Sequence, residues 1–252
     1  MSLGGRGEHL AAVRVCAPNP GPFTLEGTNS WLIGQYDLAV IDPGPNVPSH
    51  IRALVAHCHQ ATRVSVVVTH HHADHSGATG PLIAALAEQP SPPEVRLVQP
   101  RHETRIETDL GELILVATPG HARDHVVVHW PLPKALFAGD LILGRGDTTW
   151  VGEYPGSVAD YLDSLERVKA LGVRTIYPGH GPIIEDPNDA LDRFASHRRA
   201  RIEQVRRLRE RNPQADPDKL FEVVYAGRVP ARYEQAAQKS LEALLHHIDT
   251  HG

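Results

Sequence analysis

The stretch VSVVVTHHHADHSG, residues 64–77, constrains this chain more than any other. It opens on a nearly unbroken β-branched run. A strand of that kind has both faces covered, as in the layered α/β folds. Four histidines and an aspartate then fall within six residues: His70, His71, His72, Asp74 and His75. Side chains on an extended chain alternate, so His70 and His72 point one way and His71 the other. Asp74 and His75 follow where the chain turns towards a helix. Imidazole with carboxylate and no thiolate suits a reactive zinc site, and also iron or manganese. A tract of solvated histidines is the plainer alternative, and the position behind a buried strand argues against it.

Three more donors sit in the same local setting. His121 in ATPGH, Asp140 in LFAGD and His180 in YPGH each end an apolar run at a Pro/Gly turn. A lone histidine at a strand end needs no function, but these bring the donors to seven, more than one tetrahedral zinc takes. The flanking chain alternates strands and helices. SWLIG (30–34) and LAVID (38–42) form a strand pair about the Gln35-Tyr36 turn and stop at Pro43-Gly44-Pro45. PSHIRALVAHCHQ (48–60) and GPLIAALAEQ (80–89) are helical. Strands are expected in VRLVQP (95–100), LILVATPGH (113–121), VVVHW (126–130), ALFAGDLIL (135–143) and TIYPGHGP (175–182). Residues 157–171 form a helix with Ser157 and Asp160 as a capping-box-like start and Gly172 as its stop.

After Pro187 the texture turns helical and arginine-rich, with further helices near 216–226 and 230–248. The expected division is a catalytic domain over 1–200 and a small helical module over 201–252. The length of 252 residues is ample for a large core, and a formal charge of −5 leaves room only for local nucleic-acid patches. Two cysteines cannot build a disulfide framework. No apolar run suits a signal peptide or a membrane helix, so the expectation is a cytoplasmic protein with no membrane partner.

THHHADH, TPGHARDH, FAGD and YPGHG, with Asp42 of VIDPG, resemble the five-motif signature of the metallo-beta-lactamase fold superfamily over residues 25–185. The resemblance implies a four-layer αββα sandwich with metals where strand ends converge. It implies that His70, His72 and His121 bind a first metal, that Asp74, His75 and His180 bind a second, and that Asp140 bridges both. Two zinc ions are the implied cofactors, with iron or manganese as alternatives. Two metals about 3.5–4 Å apart can share a hydroxide and clamp an electrophile. That hydroxide would be the nucleophile, with Asp74 orienting it. Asp42, His71 and His125 are expected to support ligands or the fold.

The bridging Asp140 argues against a true beta-lactamase, and His75 against a single-iron member. The stretches GDTTWVGEYPGSVADYLDSLERV and IYPGHGPIIEDPNDALDRFASHRRARIEQVRRL resemble the beta-lactamase-like endoribonucleases, which carry a winged-helix-like C-terminal module. That resemblance implies hydrolysis of single-stranded RNA. His197 and Arg198, in SHRRARIEQV and close in sequence to His180, are expected to reach the metal edge, His197 in a catalytic role at the substrate phosphate or leaving group and Arg198 in a substrate-binding one. Most of the arginine run is expected to be a solvated face paired with Glu203 and Glu210. A glyoxalase II-like thioester hydrolase or a lactonase is the alternative, with a small-molecule ester or thioester as partner. A metal-stabilised binding scaffold is the non-enzymatic reading. GHA at 120–122 departs from the family's common GHT, outside the ligands themselves.

Overall fold

A computed structural model of the chain describes residues 12–100, 104–214, 216–225, 227 and 229–251. Most of the N-terminal stretch read for a leader, and Ala226 at the end of an expected helix, lie outside these residues. The first sheet has the order β1-β2-β3-β4-β5, formed by Val13–Cys16, Asn29–Ile33, Asp37–Ile41, Arg63–Val67 and Glu94–Leu97. The second has the order β10-β9-β8-β7-β6, formed by Thr175–Pro178, Ala135–Gly139, Val126–Trp130, Gly111–Ala117 and Arg105–Thr108. β3, β4 and β5 run parallel, as do β9 and β10; the remaining pairs are antiparallel.

Three apolar clusters define four layers. Leu38 and Val40 of β3 and Val64 and Val66 of β4 pack with Ile51 and Leu54 of α1 (Pro48–His57) and Leu82 and Leu86 of α3 (Thr79–Ala87). The alternate residues Ala39, Ile41 and Val67 face inwards, to Val126, Val128, Trp130 and Phe137 of the second sheet. Leu136 and Ala138 point the other way, to Val158, Tyr161 and Leu165 of α4 (Ser157–Ala170) and Phe194 of α5 (Pro187–Arg211). This is the αββα sandwich, and it accounts for the β-branched run of β4: helices cover one face and a second sheet the other.

α5 runs unbroken through residue 200, where a domain division was expected. Phe194 before that point and Ile202 and Val205 after it belong to one cluster. The same cluster holds Leu220 of α6 (Pro217–Tyr225) and Leu241 and Leu244 of α7 (Glu234–His251). Among the described residues no strand follows β10, so the C-terminal module is helical and carries no β wing. Among those residues, too, no helix is long and apolar enough to cross a membrane.

Two local expectations are corrected. α4 has no capping box: Gly156, at φ +87°, is its N-cap and makes no side-chain cap bond. Ser157 is buried, and Asp160 accepts from the Tyr154 hydroxyl at 2.7 Å instead. The sheets also gain β1 and β6, which no sequence pattern announces. Both are four-residue edge strands with one or two buried positions, too short to show a hydrophobic period.

Phe137 stacks on Tyr177 with centroids 5.0 Å apart and meets Trp31 and Trp130 at 6.0 and 6.3 Å. It is fully buried between the sheets. Phe137→Ala is expected to lower the unfolding free energy by about 3–5 kcal/mol in urea titration. A loss below about 1 kcal/mol would show that the sheets are not held together there.

Candidate metal centre

The seven donors meet at one edge of the sandwich, beyond the carboxyl ends of β4, β7, β9 and β10. β4 stops at Val67, so His70 and His72 lie in a bend and not on the strand. Their imidazoles converge nevertheless: Nε2 of His70 is 3.0 Å from Nδ1 of His72. Nε2 of His121 is 3.0 Å from the same Nδ1, which closes a first cluster. Asp74 and His75 sit on the four-residue helix α2 (Ala73–Ser76). Nε2 of His180 lies 3.2 Å from Nε2 of His75 and 3.3 Å from Oδ2 of Asp74, forming a second cluster.

Asp140 stands between them. Its Oδ1 is 3.3 Å from Nε2 of both His75 and His180, and its Oδ2 is 3.7 Å from Nε2 of His121. Oδ1 is buried without a hydrogen-bond partner. An orphaned carboxylate oxygen is costly in a protein interior unless a cation meets it. The residues therefore fit metal ions at both clusters.

Each imidazole is aimed by its other nitrogen. Nδ1 of His75 is 2.8 Å from Oδ2 of Asp42, that of His121 is 2.8 Å from the Trp150 carbonyl, and that of His180 is 3.2 Å from the Gly27 carbonyl. Nδ1 of His70 meets the Thr69 hydroxyl at 3.0 Å, and that hydroxyl donates to Asp42 at 2.8 Å. A donor hydrogen on each Nδ1 leaves the Nε2 lone pair facing the centre. His72 is reversed and presents Nδ1, with Nε2 3.7 Å from Glu153. Asp42 holds a left-handed conformation at φ +52° and also accepts from the Thr69 backbone amide at 2.7 Å. It thus orients His75 and the start of the histidine run together.

His125 is buried behind the clustered imidazoles. Its Nε2 accepts from the Asp140 amide at 3.2 Å, and its Nδ1 lies 2.9 Å from the Thr118 hydroxyl. His71 points away, to Asp124 at 2.9 Å and Glu153 at 3.2 Å. Arg198 corrects an expectation: it is buried and donates to the Thr149 carbonyl at 2.9 Å, so it presents no guanidinium to a substrate. His197 is half-exposed on the same helix, with Nδ1 3.3 Å from Asp147. Glu153, Trp150 and Thr69 carry no signal in the sequence. Each is one ordinary residue in a loop, and only the fold brings it to a histidine.

Two glycines floor the centre. A Cβ on Gly139 would lie 2.7 Å from the Thr69 hydroxyl and 2.8 Å from Nε2 of His125. One on Gly179 would lie 2.7 Å from the His75 ring and 2.9 Å from Oδ1 of Asp140.

The family follows from comparison with known proteins. The metallo-beta-lactamase superfamily model matches residues 87–180, which hold His121, Asp140 and His180. A beta-lactamase-like protein 2 homolog from Caenorhabditis elegans is 32% identical, over 86% of this chain and 77% of its own length. The chain belongs to the metallo-beta-lactamase superfamily. Lactamase-like protein aptB of Emericella nidulans is 30% identical over 92% of this superfamily member and 79% of its own length. An atrochrysone carboxyl ACP thioesterase of Aspergillus fumigatus is 30% identical over 87% of the chain and 74% of its own length. Among solved structures, a metallo-beta-lactamase family protein from Thermus thermophilus covers 95% of this chain and 93% of its own, at TM-score 0.72 and 21% identity. A beta-lactamase domain protein from Burkholderia ambifaria covers 95% and 85%, at TM-score 0.75 and 19% identity. At those identities the likeness is one of fold.

The two clusters differ in charge. Burial, with the neighbouring His121 and His71, brings His72 down to about 4, and burial lowers His70 and His121 as well. Burial would also lower His180, but Asp140 and Asp74 overcome it and lift the group to about 9. Asp140 and Asp42 likewise hold His75 well above the usual range against burial. For His180 the folded value exceeds the unfolded one, so its contribution to stability is complete below about pH 6.5 and is lost as pH rises through 9. The metal-free chain is expected to melt at lower temperature at pH 9 than at pH 6.5, measured by thermal scans in chelator. A rise over that interval would contradict the charge pairing. Asp42→Asn, which removes the acceptor for His75, should weaken metal binding about 10–100-fold in competition with a chromogenic chelator.

Proposed function

We propose that this superfamily member is a dinuclear zinc hydrolase acting on thioesters. His70, His72 and His121 would hold one ion, Asp74, His75 and His180 the other, and Asp140 would be shared. The observation that carries the reading is the partnerless Oδ1 of Asp140, buried between two groups of imidazoles, four of which are engaged through Nδ1. Zinc ions in such a site acidify water and polarise the oxygen of an acyl or phosphoryl group.

The chain's own residues supply the rest. Asp74 and His72 are the most accessible donors, with side chains 31% and 27% exposed, so they form the face that substrate meets. Burial would raise the Asp74 carboxyl, but His180 and His75 outweigh it and keep the group ionised. Asp74 can therefore accept a hydrogen bond from the attacking water and orient it. The buried imidazoles keep their orientation while this happens, because Asp42, Thr69, Gly27 and Trp150 hold their far nitrogens.

The choice of thioester is supported by the Aspergillus fumigatus relative, a thioesterase by name. The arginine run supports it from the other side. Arg193 pairs with Asp189 at 2.8 Å, Arg199 with Glu166 at 3.0 Å, and Arg206 and Arg207 with Glu203 at 3.2 and 2.6 Å. Arg209 pairs with Asp249, and Arg198 is buried. Most of the run is thus paired along its own surface, as expected of a solvated face, and offers few free guanidinium groups to a phosphate backbone.

The test is a turnover assay of zinc-loaded protein on acyl-carrier-protein thioesters, acyl-coenzyme A, S-lactoylglutathione, a lactone and single-stranded RNA. Thioester hydrolysis is expected, abolished by chelator and lowered at least about a hundredfold by Asp140→Asn with the circular dichroism unchanged. Cleavage of RNA with inert thioesters would replace this reading by a nuclease. A chain inert on the whole panel would favour the binding scaffold.

A further inference from the structure

The segment Thr149–Gly152 runs as irregular backbone between the metal centre and the C-terminal helices. The helices grip it at successive residues. The Thr149 carbonyl accepts from the Arg198 guanidinium of α5 at 2.9 Å. The Trp150 indole donates to the Ala236 carbonyl of α7 at 3.0 Å. The Val151 carbonyl accepts from the Ser240 hydroxyl of α7 at 2.9 Å. Gly152 lies flat on the same helix, since a Cβ there would fall 2.7 Å from the Ser240 amide nitrogen. On its other side the strap faces His121. The Trp150 carbonyl takes the Nδ1 hydrogen of that ring at 2.8 Å, and the Thr149 hydroxyl is 3.4 Å from the same nitrogen.

We infer that Arg198, Trp150 and Ser240 are positioning residues for the first metal, acting through this strap on His121. The inference rests on the reading of His121 as a ligand. A histidine binds metal through Nε2 only if Nδ1 carries the hydrogen, and the Trp150 carbonyl sets that tautomer. An irregular segment has no ladder to fix a carbonyl, so the three clamps from α5 and α7 do so. Arg198 is buried at the far end with its Nε unpartnered, which costs stability and is offset only in part by the Thr149 bond and the Tyr161 ring, 5.4 Å from the guanidinium carbon. That arrangement makes sense if the guanidinium serves the strap. The second cluster is oriented from elsewhere: His75 by Asp42 and His180 by Gly27. The helical module therefore sets the affinity of the first site and leaves the second alone.

The experiment is a cobalt titration of the full metal-free chain, followed by absorption spectra and chelator competition. Ser240→Ala, Trp150→Phe and Arg198→Met should each weaken one of two equivalents by about tenfold and alter its d–d bands, with the other equivalent unchanged. Arg198→Lys should recover part of the loss, because an ammonium can still donate to the Thr149 carbonyl. Val224→Ala thins the core on α6, which supplies none of these clamps. It should lower the melting temperature and leave both affinities intact. If Arg198→Met does not fold, the other two variants decide. Unchanged affinities in the clamp variants, or equal weakening of both equivalents, would overturn the inference. His121→Ala separates this from the reading beneath it. If that variant keeps both equivalents, or the unaltered chain takes up no cobalt, the ligand assignment itself falls.

Discussion

A carboxylate buried among imidazoles is the interaction around which the rest of this centre is arranged. Asp140 is brought there by the end of β9, and its Oδ1 has no hydrogen-bond donor of its own. Its backbone amide is engaged by His125 and its side chain lies between two groups of histidines. The inter-sheet core matters to function because it fixes where β4, β9 and β10 end. A shift of one strand by one residue would turn its donor away from the others.

The centre is divided electrostatically. In its second half Asp140, with Asp42 and Asp74, lifts His75 and His180 against burial, while those imidazoles lower Asp140 and Asp74. Its first half is three neutral rings. Protons and a cation therefore compete for the second half, because a histidine ligates only through a free ring nitrogen. The halves also differ in what steadies them: the first sheet and the loop before β2 orient one, and the helical module orients part of the other.

Much of this was legible in the chain. The strand-end motifs marked the seven residues that converge at the sandwich edge, because imidazoles and carboxylates stand there beside strong turn signals. The two-faced burial of β4 was legible from its β-branched run. The edge strands β1 and β6 were not, since four residues with one or two buried positions are too short to show a period. The α4 start misled because Ser157 and Asp160 have the spacing of a cap, while the left-handed Gly156 begins the helix and the serine turns into the core. Arg198 misled for a related reason. Its neighbours on α5 are solvated and paired, and only the packing of α4 and the 149–152 strap shows that this one guanidinium faces inwards. Side chains that act through backbone carbonyls, as around Trp150, leave no mark in residue type at all.

Gly139 and Gly179 bear on how a centre of this kind can change. Their backbones pave its base so closely that any side chain there would strike a ligand or the residues that brace one. The chemistry is thereby sealed from beneath. Access is from the side of Asp74 and His72, the most exposed of the seven donors, so any change in what the centre meets has to come from residues beside those two.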